Sequence, residues 1–137
     1  MKKILVAGSR TIGENYLRFI FDRIYEYQNM LEEDISIISG GAVGVDSIAI
    51  QFAQHVTVPL EVVLPDWKTH GKSAGYLRNK EMVEKCDVCI IFWDGKSKGT
   101  KHTIDLATQH KKELHIYFLN PEADKIKSEQ EIKDITF

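Results

Sequence analysis

No stretch of this 137-residue chain approaches the ~18 consecutive apolar residues that a membrane-spanning helix needs. The N-terminus, Met1-Lys2-Lys3 followed by Ile4-Leu5-Val6-Ala7-Gly8, pairs a basic start with an apolar run. That run is too short for a secretion signal and no small-residue cleavage site follows it, so a first strand and a cytoplasmic protein are expected. Neither sign of charge prevails. Eighteen Lys and Arg against 20 Asp and Glu leave a net charge of −2, which removes the global electrostatic case for nucleic acid or anionic membrane as partner. Cysteine is scarce, and Cys86 and Cys89 form a lone CxxC. Zinc takes about four ligands, and there is neither a second CxxC nor a clustered histidine pair. A redox CxxC opens a helix after a strand, whereas Cys89 falls inside the apolar run Val88 to Trp93. The pair therefore reads as ordinary buried thiols, with no metal and no resident cofactor expected. Internal repeats and a splitting linker are also lacking, which leaves one domain.

What is present is a regular alternation of short apolar runs with helical periodicity, at 43% hydrophobic and 28% charged residues. Lys3–Ala7, Ile35–Ile38, Leu60–Val63, Val88–Trp93 and Leu114–Leu119 read as five strands. They are rich in Val, Ile and Leu with little alternation, as parallel strands covered on both faces require. Tyr16, Leu17, Ile20, Ile24, Tyr27 and Leu31 make one helical stripe, and Val45, Ile48, Ala49, Phe52 and Ala53 another. Two more helices are predicted over Gly75–Lys85 and Thr100–Gln109, the latter turning Ile104 and Ala107 inward. The fold class that follows is α/β: a Rossmann-like, open, doubly wound parallel sheet of about five strands with helices on both faces. The common order 3-2-1-4-5 puts the topological switch point between strands one and four. The domain proper is expected over 1–119. Residues 120–137 are polar and charged, with Ile126, Ile132 and Ile135 among few aliphatics, and read as an appended extension of one helical turn or an edge strand.

Three loops follow strands at their carboxyl ends, where open α/β sheets bind ligands. They are Gly8-Ser9-Arg10-Thr11, then Ser39-Gly40-Gly41-Ala42-Val43-Gly44-Val45-Asp46, then Asp94-Gly95-Lys96-Ser97-Lys98-Gly99-Thr100. Glycine lets a ligand approach with no Cβ in the way, and the helix that follows offers unpaired N–H groups to a phosphate. In the third loop Ser97 and Thr100 add hydroxyls, while Lys96, Lys98 and Lys101 make it locally basic in a slightly acidic protein. That contrast favours a small anion over a long polyanion. None of the loops is a Walker A, since the Gly-Lys-Ser/Thr ending is missing, and none has the dinucleotide G-x-G-x-x-G spacing.

The stretch Pro65 to Lys80, after strand three, carries Trp67, His70, Arg78 and Asn79. Trp67 would stack on a base or cap the core as a lid. Arg78 is a natural fork for phosphate or ribose oxygens. His70 has the chemistry of a general acid and equally of a hydrogen-bonding loop residue. Asp46 would bind a ribose hydroxyl or simply stabilise the first turn of its helix.

Taken together, Gly8-Ser9-Arg10, Gly40-Gly41-Ala42-x-Gly44-x-Asp46, Asp66-Trp67-x-x-His70-Gly71, Ala74-Gly75-x-x-Arg78-Asn79-x-x-Met82 and Phe92-Trp93-Asp94-Gly95-x-Ser97-x-Gly99-Thr100 resemble the SLOG superfamily, specifically its small YspA/YpsA-related branch. The motifs run in the family's order over roughly residues 1 to 119. The superfamily includes LOG phosphoribohydrolases, molybdenum-cofactor carriers and the DNA-processing protein A. The resemblance implies a Rossmann-like fold, a homodimer and a phosphorylated, nucleotide-like small-molecule ligand. The LOG enzymes release a base from ribose 5-phosphate with an arginine and with the glutamate of Pro-Gly-Gly-x-Gly-Thr-x-x-Glu. Arg78 matches that arginine and Gly99-Thr100 the Gly-Thr, but the glutamate position falls on Thr103. Asp105 lies about 200° further round the helix. N-glycosidic cleavage wants a carboxylate to stabilise an oxocarbenium-like state or activate water, so Asp94, Asp46 or Asp66 would have to substitute.

The reading that follows is a sensor or carrier of a nucleotide, nucleotide-sugar or ADP-ribose-like ligand, bound by the three loops with Trp67, His70, Arg78 and Asn79. The first alternative is a phosphoribosyl or ADP-ribosyl hydrolase with Arg78 and Asp94 as its catalytic pair. The second is single-stranded DNA binding.

Overall fold

The computed structural model describes residues 1–125. Five parallel strands form one sheet in the order β3-β2-β1-β4-β5, with β1 at Lys2–Gly8, β2 at Ile35–Ser39, β3 at Leu60–Val62, β4 at Val88–Trp93 and β5 at Glu113–Phe118. The helices are α1 (Leu17–Asn29), α2 (Val45–Val56), α3 (Trp67–His70), α4 (Ala74–Lys85) and α5 (Lys98–Gln109). The doubly wound sheet and its order are as the sequence implies.

Successive residues of a strand point to opposite faces of the sheet, and this sorts the core into two layers. Ile4, Val6, Ile37, Ile90 and Phe92 face α1 and α2, where Ile20, Ile24, Ile48 and Phe52 complete the packing. Leu5, Ala7, Ile38, Cys89 and Ile91 face α4 and α5 and meet Met82, Val83, Ile104 and Ala107. Each fully buried side chain of this size contributes about 1.5–3 kcal/mol. The registers Leu5↔Ile38 and Leu5↔Cys89 place the central strand in contact with both neighbours at one level. Cys86 and Cys89 are buried free thiols with sulfurs 3.5 Å apart, one at the end of α4 and the other within β4.

The departures from expectation lie at the edges. β3 and β5 flank the sheet and are only partly covered; β3 ends one residue before its apolar run does, and β5 is shifted one residue toward the N-terminus. Pro59 precedes β3, and its carbonyl accepts from Ile37 N–H. A 3-10 turn at Glu14–Tyr16 leads into α1, so Tyr16 anchors the core before the helix proper begins. The stretch expected to be a loop after β3 is instead α3 followed by a 3-10 turn at Gly71–Ser73, with Asp66 capping Thr69 N–H at 3.1 Å. Of the C-terminal extension, a helical turn begins after Asn120, whose side chain accepts from Ala123 N–H. The expectations for residues 126–137 lie outside the described residues.

Candidate functional site

A pocket of about 90 Å³ opens at the switch point, beyond the paired carboxyl ends of β1 and β4. Ala7, Gly8, Met82 and Thr103 line it from the sheet and helices, Arg10, Asp46 and Arg78 supply its charge, and Ser97, Gly99 and Thr100 contribute the start of α5. Ala42 and Asn79 complete the wall. Two guanidinium groups and a helix N-terminus around a cavity of this size make an anion cradle.

Arg78 is aimed by two hydrogen bonds. Its Nη1 donates to Gly40 O at 2.6 Å and its Nε to Asn79 Oδ1 at 3.0 Å. Asp46 sits beside it, 7% exposed, accepting from Ala42 N–H at 3.2 Å. Burial pushes the Asp46 carboxyl up to about 6, against the opposing pull of the Ala42 amide and of the Arg78 and Arg10 guanidinium groups. For Arg78, burial lowers the pKa, Asp46 raises it and Arg10 lowers it further. Ser39 locks the loop beneath them: its hydroxyl donates to Asp46 O at 2.9 Å and accepts from Gly41 N–H at 3.2 Å.

The structure divides the residues expected at the site into several groups. The glycines do not share one role: Gly8 lines the pocket and is also required for packing. A Cβ there would lie 2.1 Å from the Phe92 carbonyl oxygen and 2.7 Å from Val45 Cγ2. Gly44, at φ 82°, stands outside the pocket, and a Cβ on it would be 2.6 Å from Ser9 O and 2.7 Å from Arg10 Cα. It locks the first loop against the second. Gly40 lies beneath the Arg78 guanidinium and the Asp46 carboxylate, and Gly41 faces Val62 and Leu64. Ser9 is fully buried, and its hydroxyl accepts from Asp94 N–H at 3.0 Å. It ties two loops together and does not line the pocket.

Asp94 is also displaced from the expected role. It lies away from the pocket, in a separate hollow with Thr11, Lys96 and Glu122. Partial burial would raise its carboxyl, but the Lys96 and Ser97 amides, both at 2.8 Å, and the Thr11 hydroxyl outweigh that and hold it down at about 2. A carboxylate so bound anchors the third loop and has no proton to give.

Trp67 is exposed and lies over Gly75, and it lines neither the pocket nor the hollow beside it. That adjoining hollow, about 330 Å³, holds His70, Asp66, Leu64, Leu77 and Glu81, with Arg78 as the wall shared with the pocket. Asn79 is 7% exposed and faces His102, with its amide 3.3 Å from the His102 ring nitrogen. Gly95 lies in a wider groove on the far side of Asn79, together with Tyr76 and His102. Thr103, the position where the resemblance wants a glutamate, does line the pocket, and its hydroxyl turns back to Gly99 O at 3.2 Å. Asp105 faces outward and pairs with Lys101. Asp46 is thus the carboxylate that lines the pocket. Tyr76 and His102 were not marked by spacing or motif, because it is the packing of α4 against α5 that brings them together.

Comparison with known proteins agrees with this architecture. The sequence profile of the YspA, cpYpsA-related SLOG family matches residues 2–70. The Gene 61 protein of Mycobacterium phage D29 is 35% identical over 108 residues, spanning 74% of this chain and 85% of that protein. Among solved structures, DNA processing protein A from Helicobacter pylori, described for its single-stranded DNA binding mode, superimposes with a TM-score of 0.66 at 22% identity, covering 94% of this chain and 73% of that one. DNA processing protein A from Streptococcus pneumoniae gives 0.70 at 18% identity, over 90% of this chain and 54% of the other. The structural-genomics target TM1055 gives 0.62 at 18% identity, over 94% and 99%. At these identities the structural likenesses establish the fold. No helix among the described residues is long and apolar enough to cross a membrane.

Proposed function

Because the chain belongs to the YspA, cpYpsA-related SLOG family and carries an arginine-walled pocket at its switch point, we propose that it binds a phosphorylated, nucleotide-derived small molecule as a sensor or carrier. The observation that carries this reading is the convergence of Arg10, Arg78 and the first residues of α5 on one cavity of about 90 Å³. A phosphate fits that space and that chemistry, while the sugar and base would extend past Arg78 or Asn79 into the wider hollows on either side. Binding without turnover is favoured by the environment of the pocket carboxylate. Asp46 is held by a backbone amide and flanked by two guanidinium groups, and Thr103 offers only a hydroxyl already directed at Gly99 O.

A thermal-shift panel of nucleoside phosphates, ADP-ribose and ribose phosphates tests the reading. A ligand at a hundred times its dissociation constant adds about 2.7 kcal/mol, several degrees of Tm for a domain of this size. Stabilisation by at least one phosphate compound, lost in Arg78→Ala, is expected. A flat panel overturns the reading.

Single-stranded DNA is the second reading, favoured by a specific surface. Tyr76 and Trp93 lie in one groove with Lys96, Lys98 and Lys101, the combination of stacking faces and positive charge that single strands use. The likeness to the Helicobacter pylori protein, which binds single-stranded DNA, points the same way. A shift with an oligothymidylate that fades steeply with salt, and is absent with mononucleotides, would promote it.

A further inference from the structure

On the far side of the Asn79 side chain from the phosphate pocket lies a groove of about 440 Å³, lined by Tyr76, Trp93, Lys96, Lys98, Lys101 and His102. We propose that it is a second subsite of the same ligand, so that the ligand is a nucleoside diphosphate or triphosphate. The terminal phosphate would occupy the Arg10–Arg78 pocket, the inner phosphate would lie against His102 and Lys98, and the base would stack on Tyr76. This rests on the small-molecule reading above and narrows it to a class.

Three observations carry the subsite. First, the two cavities are joined by an oriented chain. A guanidinium has no acceptor, so the Asn79 atom 3.0 Å from Arg78 Nε is its carbonyl oxygen, and the amide nitrogen faces His102 Nδ1 at 3.3 Å. The ring accepts there and keeps its hydrogen on Nε2, a donor available to a ligand in the groove. Second, Tyr76 is 57% exposed while its ring meets the His102 ring edge to face at 4.6 Å. The aromatic ring is steadied without being covered, as a stacking platform requires. Third, the groove's cations are unequal. Lys101 pairs with Asp105 and Lys96 with Glu122, whereas Lys98, the first residue of α5, has no carboxylate partner among the described residues.

The same features favour a small nucleotide over a strand. The pocket is floored by Ala7, Gly8, Met82 and Thr103, so it ends a ligand at a terminal phosphate and offers no path for a continuing backbone. Asp105 on the groove and Glu122 beside Lys96 would repel a polyanion passing along the rim.

Titration calorimetry of the full chain with AMP and with ADP, on the wild type, Lys98→Ala and Tyr76→Ala, tests the proposal. Both substituted side chains are exposed, and circular dichroism confirms that the variants fold. The wild type is expected to bind ADP about tenfold or more tightly than AMP. Lys98→Ala is expected to erase most of that preference, and Tyr76→Ala to cost about fivefold or more for ADP and little for AMP, whose base falls short of Tyr76 when its phosphate fills the pocket. Equal affinity for AMP and ADP, or variants that bind as the wild type does, overturns the second subsite and leaves the phosphate-binding reading standing. Binding of neither nucleotide overturns the second subsite, and only a flat thermal-shift panel beside it overturns the phosphate-binding reading as well. Tight binding of a twenty-nucleotide oligothymidylate that is weakened by the same two substitutions, with no ADP binding, reassigns the groove to single strands. An ¹⁵N-coupled histidine spectrum showing the hydrogen of His102 on Nδ1 would break the chain on which the subsite depends.

Discussion

Arg78 Nη1 donates to the carbonyl oxygen of Gly40 at 2.6 Å, a bond between residues 38 apart in sequence that fastens α4 to the loop after β2. The same guanidinium is held at Nε by Asn79 Oδ1. It reaches the pocket with its plane set from two sides, which is the preorganisation a planar fork needs to grip an anion.

Replacing Arg78 should therefore separate charge from geometry. Arg78→Ala is expected to cost roughly 1.5–3 kcal/mol of ligand affinity, about ten- to a hundredfold in Kd. Arg78→Lys should recover only part of it, because an ammonium cannot hold the Gly40 carbonyl and a phosphate in the same fixed geometry. Calorimetry with the best ligand of the thermal-shift panel reads both. Full rescue by lysine would show that Arg78 acts as a point charge alone.

Two pocket glycines should respond in opposite ways. Gly8→Ala places a methyl group 2.1 Å from a backbone oxygen of β4, a clash that neither strand can relieve cheaply, and a loss of about 3 kcal/mol or more is expected. At Gly99 a Cβ meets nothing within 4 Å, yet the residue lines the pocket at the start of α5. Gly99→Ala should be neutral or stabilising by about 0.5 kcal/mol while weakening phosphate binding by crowding the cavity. Urea denaturation and calorimetry on the two variants give the pair of signs. A stable Gly8→Ala protein would show that the β1–β4 ends can part.

The contrast explains how much of the site was legible. The runs Lys3–Ala7 and Val88–Trp93 announced buried parallel strands and so the sheet, whereas the strand order and its switch point were expected only as the common solution for such sheets, which the fold adopts. Loop glycines announced only that something comes close, and in Gly8 and Gly44 that something is the protein's own backbone. Asp94 illustrates the same limit. A carboxylate after a strand looks available for chemistry, and only the three-dimensional loop shows its oxygens taken by Lys96, Ser97 and Thr11. Arg78 was marked in the sequence by its guanidinium chemistry and its match to the family's arginine, and the fold brings it to the pocket wall. His102 was not, because its partnership with Asn79 is created by helix packing and has no local spacing.

The loop anchor gives the third prediction. The Asp94 pKa is depressed in the folded state, so its contribution is present above the unfolded value near 3.8 and is lost as the pH falls toward about 2. Its side chain is partly exposed, so solvent screening reduces the effect and only about 1 kcal/mol is expected. Asp94→Ala should lower stability by that amount at pH 7 and by progressively less below pH 4. Thermal melts across that range test it, and a loss that does not shrink in acid would contradict an ionic anchor.

Asp46 should behave with the opposite sign. Its folded pKa, about 6, lies above the unfolded value of 3.8, so the stability linked to its proton is present in full below 3.8 and is lost as the pH rises through about 6. Asp46→Asn should therefore gain Tm relative to the wild type at pH 7.5 and lose that advantage near pH 4. The ligand adds a second consequence. An anion placed between Arg10 and Arg78 brings negative charge to the Asp46 carboxylate, raises its pKa further and draws a proton onto it. A pyrophosphate-bridged probe such as ADP-ribose does not itself titrate near neutrality, so calorimetry at pH 6.5 in two buffers of different ionisation enthalpy isolates the effect. Fractional proton uptake is expected in the wild type and none in Asp46→Asn. Equal heats in both buffers for the wild type, with binding intact, would place the phosphate away from Asp46 and remove this carboxylate from the site.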